Sequence, residues 1–307
     1  MEQARKCVLC RPTADGTLTQ QPTVLTLRHP AANGVNAPWY AEAEGIGCGY
    51  FKNCANTDRD MEELEVWVAY LGSRLGVNMA DTWLVLDEDG TKLGSFSLDV
   101  TTGYSAYVTA EENKNGWLTS LTPLPRWAVE AAALYAAAPK VEPFPDHRLS
   151  VIDDDAALRK LLRFVYGVAS CDGRYDVAAA FCGMVLLDCL LWQKDRNMQS
   201  FGLVFGPEGQ AELSALYDSA SVTMPGLAEE TVGFCNILTT PQRLRRCAAA
   251  LFPVESRDFE GRVAEFRRRE GDAFDRLQRS FLTESYCRRM ERRMAAWLSD
   301  PAAGREK

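Results

Sequence analysis

From Val177 to Leu187 the chain reads VAAAFCGMVLL, its longest apolar run, and Asp188 interrupts it before CLLW resumes. The stretch exceeds the usual length of a strand. It stops short of the roughly 20 residues a membrane-spanning helix needs. A helix apolar on every face has no side to offer water, so it is buried among other elements. Past Trp192 the character changes abruptly: QKDRN at 193–197 is polar, and SFGLVF at 200–205 is apolar again. A second carboxylate, Asp218, ends another apolar stretch in AELSALYD, twenty-three residues after Asp195. Carboxylates at the tips of hydrophobic elements are costly unless they cap a backbone or do chemistry.

The rest of the composition narrows the chemistry. At 307 residues, with 47% apolar and 25% charged residues, the chain has material for one large domain or two smaller ones. No low-complexity tract or short-period repeat is visible. MEQARKCVLCRP lacks the apolar core of a secretory signal, so the ten cysteines are expected as reduced, mostly core thiols in a cytoplasmic protein. Cys7 and Cys10 have half the spacing of a zinc site, with Cys48 and Cys54 as the other candidates, but that second pair is spaced six apart rather than three. Two histidines, His29 and His147, leave little room for Ser-His-Asp, Cys-His or multi-histidine metal chemistry. The net charge of −8 is uneven: residues 240–307 hold 16 Lys+Arg against 11 Asp+Glu. Solvated helix faces explain those arginines more simply than direct nucleic-acid contact does.

The first hundred residues carry strand and turn signals. PTVLTL (22–27) reads as a strand, PWYAEAEGIGCGYFKN (38–53) as two strands about a glycine turn, and TWLVLDEDGTKLGSFSL (82–98) as a hairpin with DEDG at its tip. Between them, 58–76 is helical, capped by Asp58 or Asp60 and ended by Gly76, with Leu64, Val68, Leu71 and Leu75 as one buried stripe. Beyond about residue 103 helices dominate. One comes after Pro125, one is capped within Asp153–Asp155, one is the buried helix, and 200–217 forms a small hairpin. From 226 onward the pattern is helical, with Phe274, Leu277, Phe281, Met290, Met294 and Trp297 as the stripe of a last long helix. The expected architecture is α+β and bilobal: a β-rich lobe with one main helix over 1–100, and a mostly helical lobe over 101–307.

Phosphoryl transfer needs few parts: a cation on the phosphates, a group that fixes that cation, metal-binding oxygens, and an acid to orient the nucleophile. Lys52, at the end of a short strand, can serve as the cation. Glu65, beside the apolar stripe of the next helix, can pair with it. Asp195 and Asp218 supply the acids, and Arg196 can pair with Asp195 or with phosphate. Gly47 and Gly49 let backbone approach a phosphate, although a plain hairpin turn also accounts for them. Neither GxxxxGK[ST] nor a dinucleotide fingerprint is present.

These segments, taken in order, resemble the HipA-like serine/threonine kinases. ELEVWVAYLGSRLGV resembles that family's helix, with Glu65 followed eleven residues later by Gly76. KDRNMQSFGLVF is similar to its D-R-H-x-x-N-F-G catalytic loop, and ELSALYDSAS to its L-x-P-x-[FY]-D-x-x-S segment. The resemblance covers roughly residues 50–222 and implies a protein-kinase-like fold using ATP and Mg2+. It implies Asp195 as catalytic base, Asp218 as metal ligand, Lys52 as the phosphate lysine and Glu65 as its partner. It also implies a protein substrate, with an inhibitor or antitoxin protein as partner, and no membrane. Three positions depart from the pattern. Ser200 stands where a metal-binding Asn is usual, Asn197 where His is usual, and the proline before the metal Asp is absent. Ser200 separates an active kinase from a pseudokinase that binds nucleotide or acts as a scaffold without transfer.

Overall fold

The computed structural model describes residues 3–13, 15–31, 38–53, 61–120, 126–137, 150–171, 173–219 and 230–299, without the side chains of 116–120 and 127. The chain packs as two units. The first comprises Met1–Thr102 with Phe266–Arg289, and the second Gly103–Glu265 with Met290–Lys307. The expectation that everything past residue 101 packs together is therefore corrected for 266–289.

In the first unit, β1 (Gln3–Pro12), β2 (Leu18–Pro30), β3 (Trp39–Ala43), β4 (Gly47–Asn53), β5 (Thr82–Leu86) and β6 (Lys92–Leu98) close an antiparallel barrel in the order β1-β2-β3-β4-β6-β5. Period-two alternation sends Cys7, Leu9, Leu25, Ala41, Ala43, Phe51, Trp83, Val85 and Phe96 into its core. At the β5–β6 turn the Asp87 carboxylate accepts from the backbone N–H of Asp89 (3.0 Å) and of Thr91 (2.7 Å). That holds the DEDG tip expected from the sequence.

Helix α1 (Met61–Arg74) lies against the barrel, and Leu64, Val68, Leu71 and Leu75 are all buried, as their spacing requires. Its capping candidates Asp58 and Asp60 lie outside the described residues. The stripe understates the helix, because Val66 and Trp67 are buried too. Val66 packs with Cys10, Leu84 and Phe281. Trp67 is fully buried, with its ring 4.8 Å from that of Phe274 and 6.2 Å from that of Phe281. Both partners belong to α7 (Pro253–Phe281), and Arg74 pairs with Glu270 on the same helix. A helix apolar on two sides needs two covers, which is why 266–281 joins this unit.

The second unit is built around α5 (Ala178–Leu191), the helix expected from VAAAFCGMVLL, with every residue from Phe181 to Leu191 buried. Around it stand α4 (Asp155–Ala169), capped by Asp154 through Ala156 N–H, and α6 (Pro241–Leu251). The helices α2 (Ala110–Ser120) and α3 (Arg126–Ala137) complete this part. A three-stranded sheet joins β7 (Ala106–Thr109), β9 (Gly202–Phe205) and β10 (Ala211–Leu213). The stretch past 226 is not wholly helical. Hairpin β11 (Val232–Phe234) and β12 (Ile237–Thr239) precedes α6, and β12 pairs with β8 (Ser150–Val151). The turn residues Cys235 and Asn236 both have positive φ, 48° and 65°, the conformation of a tight two-residue hairpin. The expected last long helix is two, α7 and α8 (Glu284–Ser299), although both parts of its stripe are buried apart from partly buried Phe281.

Candidate active site

In the first unit β4 carries Lys52 and α1 carries Glu65. The lysine ammonium donates to both carboxylate oxygens, at 3.1 and 3.2 Å. The Glu65 side chain is 8% exposed and that of Lys52 26%, so the acid is anchored in the packed face of the helix while the cation stays reachable. The pairing expected from the sequence is present, between residues 13 positions apart. Strand β6 passes close beside this lysine: a Cβ on Gly94 would lie 1.9 Å from the Lys52 carbonyl oxygen. Gly49 has a comparable duty, since a Cβ there would lie 2.1 Å from the Ser97 carbonyl oxygen and 2.9 Å from the Phe96 ring. Gly47 pairs with Ala43 at the end of the same hairpin. The sheet itself accounts for both glycines.

In the second unit, α5 ends at Trp192, which takes a left-handed conformation with φ 55°. Arg293, from α8, donates to the Leu191 carbonyl oxygen at 2.6 Å and sits 5.0 Å from the Trp192 ring centroid. The helix end thus gains a cationic cap. The next loop is bolted down by its backbone. Gly233 N–H donates to Gln193 O (2.9 Å), Arg196 N–H to Gly233 O (3.2 Å), and Cys235 N–H to Arg196 O (2.6 Å). Position 233 admits only glycine, because a Cβ would lie 1.8 Å from the Lys194 carbonyl oxygen. The Lys194 ammonium donates to Thr231 Oγ1 at 2.8 Å. Among Gln193, Lys194 and Arg196, all at most 3% exposed, Asp195 is the partly exposed residue of this stretch.

Asp218 is exposed and has φ 53°, a left-handed conformation that Asp tolerates better than most residues. It lies five residues beyond the end of β10, so it does not terminate that strand as its sequence position suggested. The loop holds it by its neighbours. Arg196 donates through Nη2 to Ser219 Oγ (3.0 Å) and through Nη1 to Tyr217 O (3.4 Å). Gln193 donates to Asp218 O (3.4 Å), and the Tyr217 hydroxyl donates to Gln199 O (2.8 Å). Asp195 and Asp218 are thereby set on two segments tied to each other.

Arg196 corrects the expectation of a pairing with Asp195 or phosphate. Its side chain is fully buried and forks onto Asp188 of α5, Nε to Oδ2 at 2.9 Å and Nη2 to Oδ1 at 3.0 Å. Burial pushes the Asp188 carboxyl up and the arginine charge draws it back. Burial pulls the guanidinium down and the carboxylate more than restores it. We read the pair as ionised, because both oxygens accept from the fork. The sequence signal was there unused: a lone acid in an apolar helix needs a buried cation, and Arg196 is the next arginine along the chain.

The donor set suits a magnesium–nucleotide only in a spare form. Mg2+ takes oxygen ligands, commonly one or two carboxylates with waters and substrate phosphates. Asp218, exposed and fixed, fits that role. Ser200 is buried at 4%, and Asn197 Oδ1 already accepts from Gln199 N–H at 2.9 Å. Ser200 itself offers no carboxamide oxygen, and that of Asn197 is already engaged. Among the described residues no group of three or more His, Cys, Asp or Glu forms a metal site. Cys7 lies in the barrel core and Cys10 in the cluster beneath α1, on opposite faces of β1, so the two cannot share an ion. Cys54 lies outside the described residues.

No protein-family model and no curated protein sequence matches the chain. Solved structures do, the following two among them. One is the Helicobacter pylori proinflammatory kinase CtkA, with TM-score 0.52, 10% identity, and 88% of this chain and 89% of that one covered. The other is the Shewanella oneidensis MR-1 toxin–antitoxin protein HipA, from a complex with HipB and operator DNA, with TM-score 0.53, 12% identity, and 91% and 68% covered. The chain has a β-rich N-terminal region and a helical C-terminal region, and its overall fold is similar to those of these two structures.

Proposed function

We propose that the chain is an ATP-dependent kinase that phosphorylates Ser or Thr of a protein substrate, with the barrel unit in the role of a kinase N-lobe. The observation that carries this reading is the two-point Lys52–Glu65 contact, found on a fold similar to that of the kinase CtkA. A buried acid that fixes a reachable lysine aims a positive charge without spending binding energy on positioning it. In this reading Lys52 would hold phosphate oxygens, and Asp218 would hold a magnesium ion. Bound there, the metal supplies charge neutralisation on the transferring phosphoryl group. Asp195 accepts the proton of the attacking hydroxyl, and its fixed backbone keeps that carboxylate in one place. The complex of HipA with HipB supports proposing an inhibitor or antitoxin protein as partner here also.

A second reading, nucleotide binding or scaffolding without transfer, is favoured by one observation: the buried Ser200 in place of a metal-binding Asn. The two readings part on transfer of label from γ-labelled ATP. The kinase reading expects incorporation into protein that is lost in Asp195→Ala and in Asp218→Ala. Binding of Mg-ATP with no transfer from wild type establishes the second reading instead.

A further inference from the structure

We infer that Arg196 and Asp188 are positioning residues that set the metal affinity of Asp218, acting through the two residues on either side of it. The inference rests on the kinase reading above and adds to it a buried device. Asp218 is exposed and its backbone sits in a sparsely populated conformation, φ 53°, which persists only where the surroundings impose it. Those surroundings are specific. One guanidinium reaches the Tyr217 carbonyl before Asp218 and the Ser219 hydroxyl after it, at 3.4 and 3.0 Å. The same guanidinium is pinned by both oxygens of Asp188, on a helix whose residues from Phe181 onward are all buried. Its own backbone is bonded on both sides to β11 and its turn, at Gly233 and Cys235. Arg196 also comes immediately after Asp195. A single buried cation therefore fixes the backbone carrying the base and the backbone flanking the metal acid, and it refers both to the most buried helix of the unit.

The chemistry explains the choice of arginine. A planar fork with five N–H donors satisfies a bidentate carboxylate, a carbonyl and a hydroxyl at once, whereas a lysine ammonium has three donors and no fixed plane. Ser219 serves as a relay, accepting from Arg196 and donating to Tyr217 O at 3.3 Å. Groups that orient a metal ligand without touching the metal commonly change metal affinity by about 10–100-fold when replaced.

The test measures Mg2+ dependence of ATP binding by titration calorimetry, alongside binding of ATP in EDTA and thermal unfolding. Ser219→Ala removes the two hydroxyl hydrogen bonds, to Arg196 and to Tyr217 O, and leaves the buried pair intact, so it is the variant least prone to misfold. Asp188→Asn and Arg196→Lys are the stronger changes. The expected result is an Mg2+ midpoint raised roughly tenfold in Asp188→Asn and Arg196→Lys, and by a smaller factor in Ser219→Ala. Metal-free ATP binding stays within about twofold of wild type throughout. Ser219→Ala should melt close to wild type. A lowered melting temperature with an unchanged Mg2+ midpoint in all three variants shows a purely structural clasp and overturns the inference. A wild-type protein whose ATP binding ignores Mg2+ overturns the metal assignment of Asp218 itself, and the inference with it.

Discussion

Replacing Lys52 by methionine separates two consequences that the structure makes unequal. The first is on folding. The ammonium lies 3.1 and 3.2 Å from the Glu65 oxygens, and that carboxylate is 8% exposed. Removing the cation takes away a charge-assisted partner from a nearly buried acid, a loss of about 1.5–3 kcal/mol in such settings. The lysine is 26% exposed, so solvent screens part of the interaction and about 1–2 kcal/mol is the reasonable expectation. Methionine keeps the length and apolar stem, so packing along β4 changes little. The second consequence is on nucleotide. A point charge on the phosphates is lost outright, and Mg-ATP affinity should fall at least about tenfold, equivalent to ~1.4 kcal/mol. Titration calorimetry reads the affinity and equilibrium denaturation reads the stability. Glu65→Gln is the control: the lysine survives but is no longer held by a carboxylate, so affinity falls less than in Lys52→Met. Unchanged Mg-ATP affinity in Lys52→Met refutes the reasoning, whatever happens to stability.

Trp67→Ala removes a fully buried ring packed among Tyr70, Phe274 and Phe281, and should cost about 3–5 kcal/mol of stability. A denaturation midpoint unchanged from wild type contradicts the packing of 266–281 on α1. Gly233→Ala forces a methyl to within 1.8 Å of the Lys194 carbonyl, so the loop carrying Asp195 must move. Label transfer should fall by about two orders of magnitude. Transfer at the wild-type rate shows that the loop's anchoring to β11 does not matter.

The sequence read well wherever one element decided its own surroundings. The α1 stripe, the DEDG hairpin and the all-apolar α5 each contain enough periodicity or turn chemistry to stand alone. Lys52 and Glu65 were legible because a lysine at a strand end and an acid beside an apolar stripe have a recognised use together. Features fixed by other parts of the chain failed to show. Strands β11 and β12 have three residues each, too short for a period to register, and their turn is Cys235-Asn236 rather than Asn-Gly. Placement of 266–289 depended on Trp67, which sits off the stripe and gives no hint of what covers it. From the sequence Arg196 offers itself to Asp195 or to phosphate, because Asp188 reads as a break in an apolar run instead of a buried charge needing compensation.

The proposed function requires both Lys52 and Asp218 for the binding of Mg-ATP. A double-mutant cycle measures this directly: calorimetric affinity for wild type, Lys52→Met, Asp218→Ala and the double variant. Two groups required by one ligand should couple, with the double variant departing from the sum of the singles by more than about 0.5 kcal/mol. Strict additivity, or a single substitution that leaves affinity untouched, contradicts the account.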